Sequence, residues 1–361
     1  MLQADFKGSS IMRLRNWLAI ACAGLGLMGA SHSQQPRTLT CSVEVTPSVE
    51  GSGRINHVAV GSSGRLAWTD GRPGQIMVRD GRRRVRAVGR SGAGPGEFRT
   101  IASLGWSGDT LWAGDGSVPR VQFFNDTGGF LDGITAVSRA AWAPRPGGHL
   151  VGFAPRRLAS DLPFAVLRQS AKQEVDSIAT WAMVPAPRVR LANGGPRGSP
   201  QPFEAETVVG ASPDYGTFCG ARPDGSTWRL ECVNDTGVLI KQVRLSLAGR
   251  DLSTALFDSM VTMFSQSRDR ADVRRQLTRP RTLPAINDIK VADNGDVWLQ
   301  RTHSIERVGV WQRVTRSGLE AQEISIAPLT RVLLVTEDAV WGVRPDPDGL
   351  ETLMRCALRA R

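Results

Sequence analysis

Internal repetition constrains this chain more than any other feature of its sequence. Ile55-Asn-His-Val-Ala-Val-Gly-Ser-Ser-Gly-Arg-Leu-Ala-Trp68 and Ile286-Asn-Asp-Ile-Lys-Val-Ala-Asp-Asn-Gly-Asp-Val-Trp-Leu299 share one plan: a short alternating strand, a glycine-containing turn, and a second strand carrying tryptophan. Alternation with period two puts one face of a strand into a core, so each stretch reads as a β-hairpin. A second pairing sets Asp70-Gly-Arg-Pro-Gly-Gln-Ile-Met-Val78 beside Asp115-Gly-Ser-Val-Pro-Arg-Val-Gln-Phe123, a turn running into a third strand. A third pairing sets Phe123-Phe-Asn-Asp-Thr-Gly-Gly-Phe-Leu131 beside Glu231-Cys-Val-Asn-Asp-Thr-Gly-Val-Leu239, where Asn-Asp-Thr-Gly turns the chain into a fourth. Asn and Asp tolerate left-handed backbone angles and Gly adopts them freely, so this composition suits reversals.

Chained together, the pieces make a unit of four antiparallel strands. Its second-strand markers fall at Trp68, Trp112, Val151, Phe218, Trp298 and Trp341, with spacings of 44, 39, 67, 80 and 43 residues. Three spacings match a four-stranded propeller blade of about 40–50 residues. Insertions account for the other two. Residues 185–203 are rich in Pro, Gly and Arg and read as a long surface loop. Residues 252–279 carry Leu252, Leu256, Met260, Met263 and Phe264 at helical spacing and reach a stop at Pro280. The expectation is an all-β chain: a single six-bladed β-propeller of four-stranded antiparallel blades over 34–361, with a helical insertion near 252–279. Leu256, Met260 and Phe264 are expected to pack on the blades.

Gly89-Arg-Ser-Gly-Ala-Gly-Pro-Gly-Glu-Phe98, Leu111-Trp-Ala-Gly-Asp115 and Arg120-Val-Gln-Phe-Phe124, with the segment Leu283 to Trp298, resemble the NHL-like six-bladed propeller proteins of bacterial envelopes. The resemblance covers most of 40–360 and is weakest over blade three, about 140–183. It implies a blade architecture and little chemistry, since most such proteins have no assigned activity.

The N-terminus reads as an export leader over 1–33. Arg13 and Arg15 precede an apolar run from Trp17 to Ala30, too short to cross a bilayer comfortably, and Ser31-His-Ser33 offers a cleavage site before Gln34. Residues 1–11 fit no part of that plan, which makes Met12 the natural start. The alternatives are a retained membrane anchor or a lipid on Cys22. Once the leader is cleaved no transmembrane segment is expected, and the destination is the periplasm or the exterior. The net charge of +11 is carried almost wholly by Arg. Its densest run, Gly81 to Arg86, alternates like the solvent face of a strand, so no nucleic-acid partner is expected.

Cys41, Cys219, Cys232 and Cys356 remain, with no Cys-x-x-Cys pair for zinc, and an even count in an oxidising compartment implies two disulfides. Cys219 and Cys232 flank a hairpin turning at Pro223-Asp-Gly-Ser226. A tight turn there sets Cys219 opposite Leu230, so the bond calls for a longer loop or a bulge. Cys41 and Cys356 are expected to close the ring: Thr38 to Val45 alternates like a strand but precedes the first blade, while the last blade lacks one strand.

The sequence holds no His-Glu-x-x-His, Gly-x-Ser-x-Gly or phosphate-loop motif. Asp346-Pro-Asp-Gly349 reads as a turn rather than a calcium loop. One constellation stands out. Asn56 and His57, with Asn287 and Asp288, occupy equivalent positions at the start of inner strands, where polar groups can converge at the mouth of a central channel. Two functions follow. One is a monomeric, non-catalytic propeller without a cofactor that binds a peptide, glycan or envelope protein. The alternative, by analogy with lactonase-like propellers, is a calcium-assisted hydrolase at the same mouth.

Overall fold

The structure is a computed structural model that describes residues 36–46, 53–82, 84–154, 164–182, 188–189, 199–200, 205–264, 270–277, 279–302, 309–327 and 329–358. Residues 1–35, with the expected leader, Met12 and Cys22, and most of the 185–203 segment lie outside the described residues.

Six four-stranded antiparallel sheets follow one another in the chain. Blade one runs Val58–Val60, Leu66–Trp68, Ile76–Arg79 and Val85–Val88. Blade two runs Ile101–Ser107, Thr110–Asp115, Arg120–Phe124 and Phe130–Thr135, and blade three Ala141–Arg145, His149–Phe153, Phe164–Gln169 and Val175–Trp181. Blade four comprises Val208–Ala211, Thr217–Asp224, Thr227–Asn234 and Leu239–Leu245. Blade five comprises Ile286–Val291, Val297–Arg301, Val310–Thr315 and Gly318–Ser325. Blade six takes only three strands from the C-terminal end: Arg331–Val335, Ala339–Pro345 and Glu351–Ala357. All six markers lie in second strands, so the repeat reading carries over to the molecule, and the chain folds as a six-bladed β-propeller.

The alternation in sequence explains the packing. Six apolar clusters occupy the six gaps between neighbouring blades, for example Leu66, Trp68 and Ile55 against Trp341 and Val343 between blades one and six. Leu111 and Phe124 meet Ile76 and Val78 between blades one and two. A blade cannot cover both of its faces alone, so the core exists only as a closed circle.

The fourth strand of blade six is Cys41–Val45, antiparallel to Glu351–Ala357. Ahead of it, Arg37–Thr38 pairs in parallel with the outer strand of blade five. One N-terminal segment thus fastens two blades. Cys41 and Cys356 sit directly opposite and are joined by a disulfide across 315 residues of sequence. Cys219 and Cys232 are likewise opposed and bonded. The turn between them differs from the expected one. Asp224 pairs with Thr227, so the tight turn centres on Gly225-Ser226, one residue later than read, and needs neither bulge nor longer loop. Gly225 has φ +63°, which a two-residue turn with Gly at its first central position requires. Both bonds suit an oxidising compartment, and among the described residues no helix is long and apolar enough to cross a membrane.

The insertion between blades four and five is a helix pair, Thr254–Phe264 and Arg270–Gln276. Its packing corrects the expectation. Phe257 and Val261, one turn apart, are buried with Leu252, Leu277 and Leu283 in a cluster belonging to the insertion and its flanks, and Leu256 is only partly covered. The apolar stripe is thus turned toward the insertion's own flanks rather than the blades. The side chains of Met260 and Phe264 lie outside the described residues.

Candidate functional site

The inner strands surround a cavity of about 440 Å³ on the propeller axis, within the size range of small-molecule sites. Asn56 and His57 of blade one line it, as do Trp106 of blade two, Phe153, the turn Ser212–Tyr215 of blade four, Lys290 and Asp293 of blade five, and Leu333 and Leu334 of blade six.

The start of the blade-one strand is fixed by hydrogen bonds. The Thr69 hydroxyl accepts from the backbone N–H groups of Asn56 and His57. Arg331 donates to the Asn56 side-chain oxygen at 3.3 Å and the Ile55 carbonyl at 2.7 Å, and is ion-paired with Glu351 at 2.8 Å. Glu351 in turn accepts the Ile55 N–H at 2.7 Å. Burial holds the His57 imidazole below its ordinary pKa, and the positive charge of Arg331 pushes the same way. The Ile101 carbonyl beside the ring opposes both. His57 is therefore a neutral donor–acceptor facing the cavity.

The equivalent residues of blade five go elsewhere. Neither Asn287 nor Asp288 is among the cavity-lining residues. Asn287 is exposed, and a register shift between Ile286 and Asp288 turns this strand start away from the axis. Asp288 holds the Lys290 ammonium at 2.9 Å, and the polar groups that blade five presents to the cavity are Lys290 and Asp293. The four residues read from the repeat do not converge as one set. Among the described residues no group of three or more His, Cys, Asp or Glu side chains is arranged as a metal's ligands.

The opposite rim holds what the repeat analysis missed. A turn in which residue i+3 donates its N–H to the carbonyl of residue i, and takes a left-handed backbone, recurs around the ring. Gly295 fills that place in the first-to-second-strand turn of blade five, donating to Ala292, and Gly128, Gly237, Gly349 and the non-glycine Gln173 fill it in outer hairpins, donating to Asn125, Asn234, Asp346 and Ser170. In blade four the donor is Tyr215, bonded to Ser212, with φ +59°. A bulky residue in this conformation is strained, by about 1–3 kcal/mol, and persists only where its surroundings hold it. Asp214 fastens the turn, accepting from the Gly216 N–H at 2.9 Å and the Ser212 hydroxyl at 2.5 Å. Arg145 donates to the Asp214 carbonyl at 2.9 Å. The ring packs edge-on against Trp112 and Phe218, and burial pushes the phenol up to about 12. Laying Ser212–Gly216 over Ala292–Asp296 in the sequence would have exposed a tyrosine where a glycine belongs.

Fold and cavity together define the class: a six-bladed β-propeller with a ligand-sized axial channel. Solved six-bladed propellers similar to it include a streptogramin B lyase, 11% identical over 88% of this chain and 97% of that one, TM-score 0.43. A calcium-binding protein, regucalcin, from Agrobacterium tumefaciens is 11% identical over 90% and 96%, TM-score 0.46. A member of the duf4221 family from Bacteroides vulgatus is 7% identical over 88% and 98%, TM-score 0.46. No protein-family model and no curated protein sequence matches the chain.

Proposed function

We propose that this chain is an exported, non-catalytic binding propeller of the NHL-like kind that works in the bacterial envelope and takes its ligand in the axial channel. The cavity carries the reading: it has ligand size and opens between polar rims built by at least four blades. The leader-like N-terminus and two disulfides support export. The Asn56 and His57 rim supplies hydrogen bonding, and among the described residues neither a metal-ligand group nor an activated nucleophile accompanies it, which favours recognition over turnover.

Glycan and peptide arrays probed with the wild type and with a channel-filling Val60→Trp variant, at a residue that lines the cavity, test this reading. Binding that disappears in the variant, while its melting temperature stays close to wild type, supports it. Unchanged binding would place the ligand on the blade edges instead. Calcium-dependent release of product from a bound substrate or a lactone panel would replace the binding reading with the hydrolase.

A further inference from the structure

The rim around Tyr215 carries charge of the opposite sign to the chain as a whole. Asp214 and Asp293 both line the cavity, and among the described residues neither forms an ion pair. The nearby cations are committed elsewhere: Lys290 to Asp288 at 2.9 Å, Arg145 to Asp235 at 2.6 Å, Arg331 to Glu351, and Arg65 to Asp109, with its guanidinium over one face of the Trp106 ring at 5.1 Å from the centroid. Glu337 adds negative charge beside Asp293. A protein of net charge +11 thus presents a locally anionic mouth. The same cavity is lined by the only tyrosine of the chain, held left-handed where the matching first-to-second-strand turn of blade five has Gly295. Its hydroxyl has no hydrogen-bond partner among the described residues. Trp106 lines the same cavity, with its indole N–H directed to the Ala59 carbonyl.

We propose that Trp106, Asp214, Tyr215 and Asp293 form a binding site for an organic ammonium ion. The two carboxylates face the cationic head and the aromatic side chains contact its methylene or methyl groups. Aromatic faces attract such cations through the ring quadrupole, and carboxylates at a partly desolvated mouth add Coulomb attraction without forming a metal cage. The proposal rests on the channel being the ligand site and names the class of ligand.

Choline and its uncharged carbon isostere, dimethylbutanol, distinguish the charge from the shape. Titration calorimetry at neutral pH should show choline bound at least about tenfold more tightly than the isostere. Asp214→Asn and Asp293→Asn should each weaken choline by about fivefold or more, leaving the isostere unchanged. Tyr215→Phe, which keeps the ring, should stay within about threefold of wild type, and Tyr215→Gly, which suits the backbone but removes the ring, should not. Equal binding of choline and isostere, each lost in Val60→Trp, would overturn the cation site and leave the channel reading intact. So would choline binding indifferent to both aspartate variants, or no choline binding in a protein whose channel captures another ligand. Calcium binding lost in the same aspartate variants would assign the rim to a metal instead.

Discussion

The ring is closed in two different ways on its two sides. At the junction of blades six and one, closure is explicit: an antiparallel strand from the N-terminus, a disulfide directly across the pair, the Arg331–Glu351 network, and Arg79 held by Glu44 at 2.8 Å. Between blades three and four no strand is shared and no disulfide crosses among the described residues; Arg145 reaches across to Asp235 at 2.6 Å and to the Asp214 carbonyl at 2.9 Å. The inner strand of blade three packs on the first two strands of blade two, and none of its residues is among the described lining of the channel. The gap is taken up by aromatic groups: Phe153 on Phe218, Phe218 on Tyr215, and Tyr215 across to Trp112 of blade two. One side is held by bonds with defined partners. The other combines one ion pair with rings whose positions depend on one another, and the cavity-lining turn Ser212–Tyr215 lies on that second side.

If that contrast is right, opening the seam should cost most. Cys41→Ser with Cys356→Ser should destabilise the chain by about 4–5 kcal/mol, since the closed loop is very long, while the pair at Cys219 and Cys232 spans a short loop and should cost about 3 kcal/mol. Denaturant unfolding of both double mutants checks the order, and an inverted order would mean that the seam is held by its hydrogen bonds and packing alone.

Tyr215→Ala should cost about 2–4 kcal/mol, the range for losing a large buried ring, and should shift the near-ultraviolet signal of Trp112. A near-neutral result would show that relief of backbone strain offsets the lost packing, and that the aromatic side is less interdependent than its contacts imply.

Glu351→Gln, which leaves Arg331 with a neutral partner, should cost about 1–3 kcal/mol, measurable as a drop in melting temperature without loss of ligand binding. A simultaneous loss of binding would tie the seam to the channel.

The smallest effect should come from His57. Its folded pKa lies below the ordinary 6.5, so the unfolded chain takes up the proton first as pH falls. The stability tied to the neutral ring is complete above about 6.5 and is lost as pH drops through the folded value. Melting curves of wild type and His57→Asn should therefore converge below that pH. Curves that remain parallel would show that the ring is as well solvated in the channel as in the unfolded chain.

What could be read in advance followed from local pattern. Tryptophan and apolar alternation mark second strands, because that strand is buried between blades on both faces, and an orphan strand at residues 38–45 demanded a partner at the far end of the chain. What could not be read depended on geometry finer than pattern. The Cys219 hairpin was misplaced by one residue, because Pro223-Asp-Gly-Ser and Asp224-Gly-Ser-Thr are both acceptable turns and only the ladder decides. The helix face was misjudged because Leu256 and Phe257 are neighbours in sequence, and packing selected Phe257 with Val261. Asn287 and Asp288 matched Asn56 and His57 in sequence, yet a local register shift separates the two pairs in space.

Finally, the strand Cys41–Val45 has a consequence for how the protein is made. It emerges from the ribosome long before Glu351–Ala357 has been synthesised. Until that last stretch arrives the early strand has no neighbour, its thiol has no mate, and five assembled blades would form an open arc with two bare edges. The circle therefore works as a check on completeness: a nascent chain cut short anywhere before residue 351 cannot seal, whatever the quality of its individual blades, and would present unpaired edges and a free cysteine to any protease or oxidant it meets.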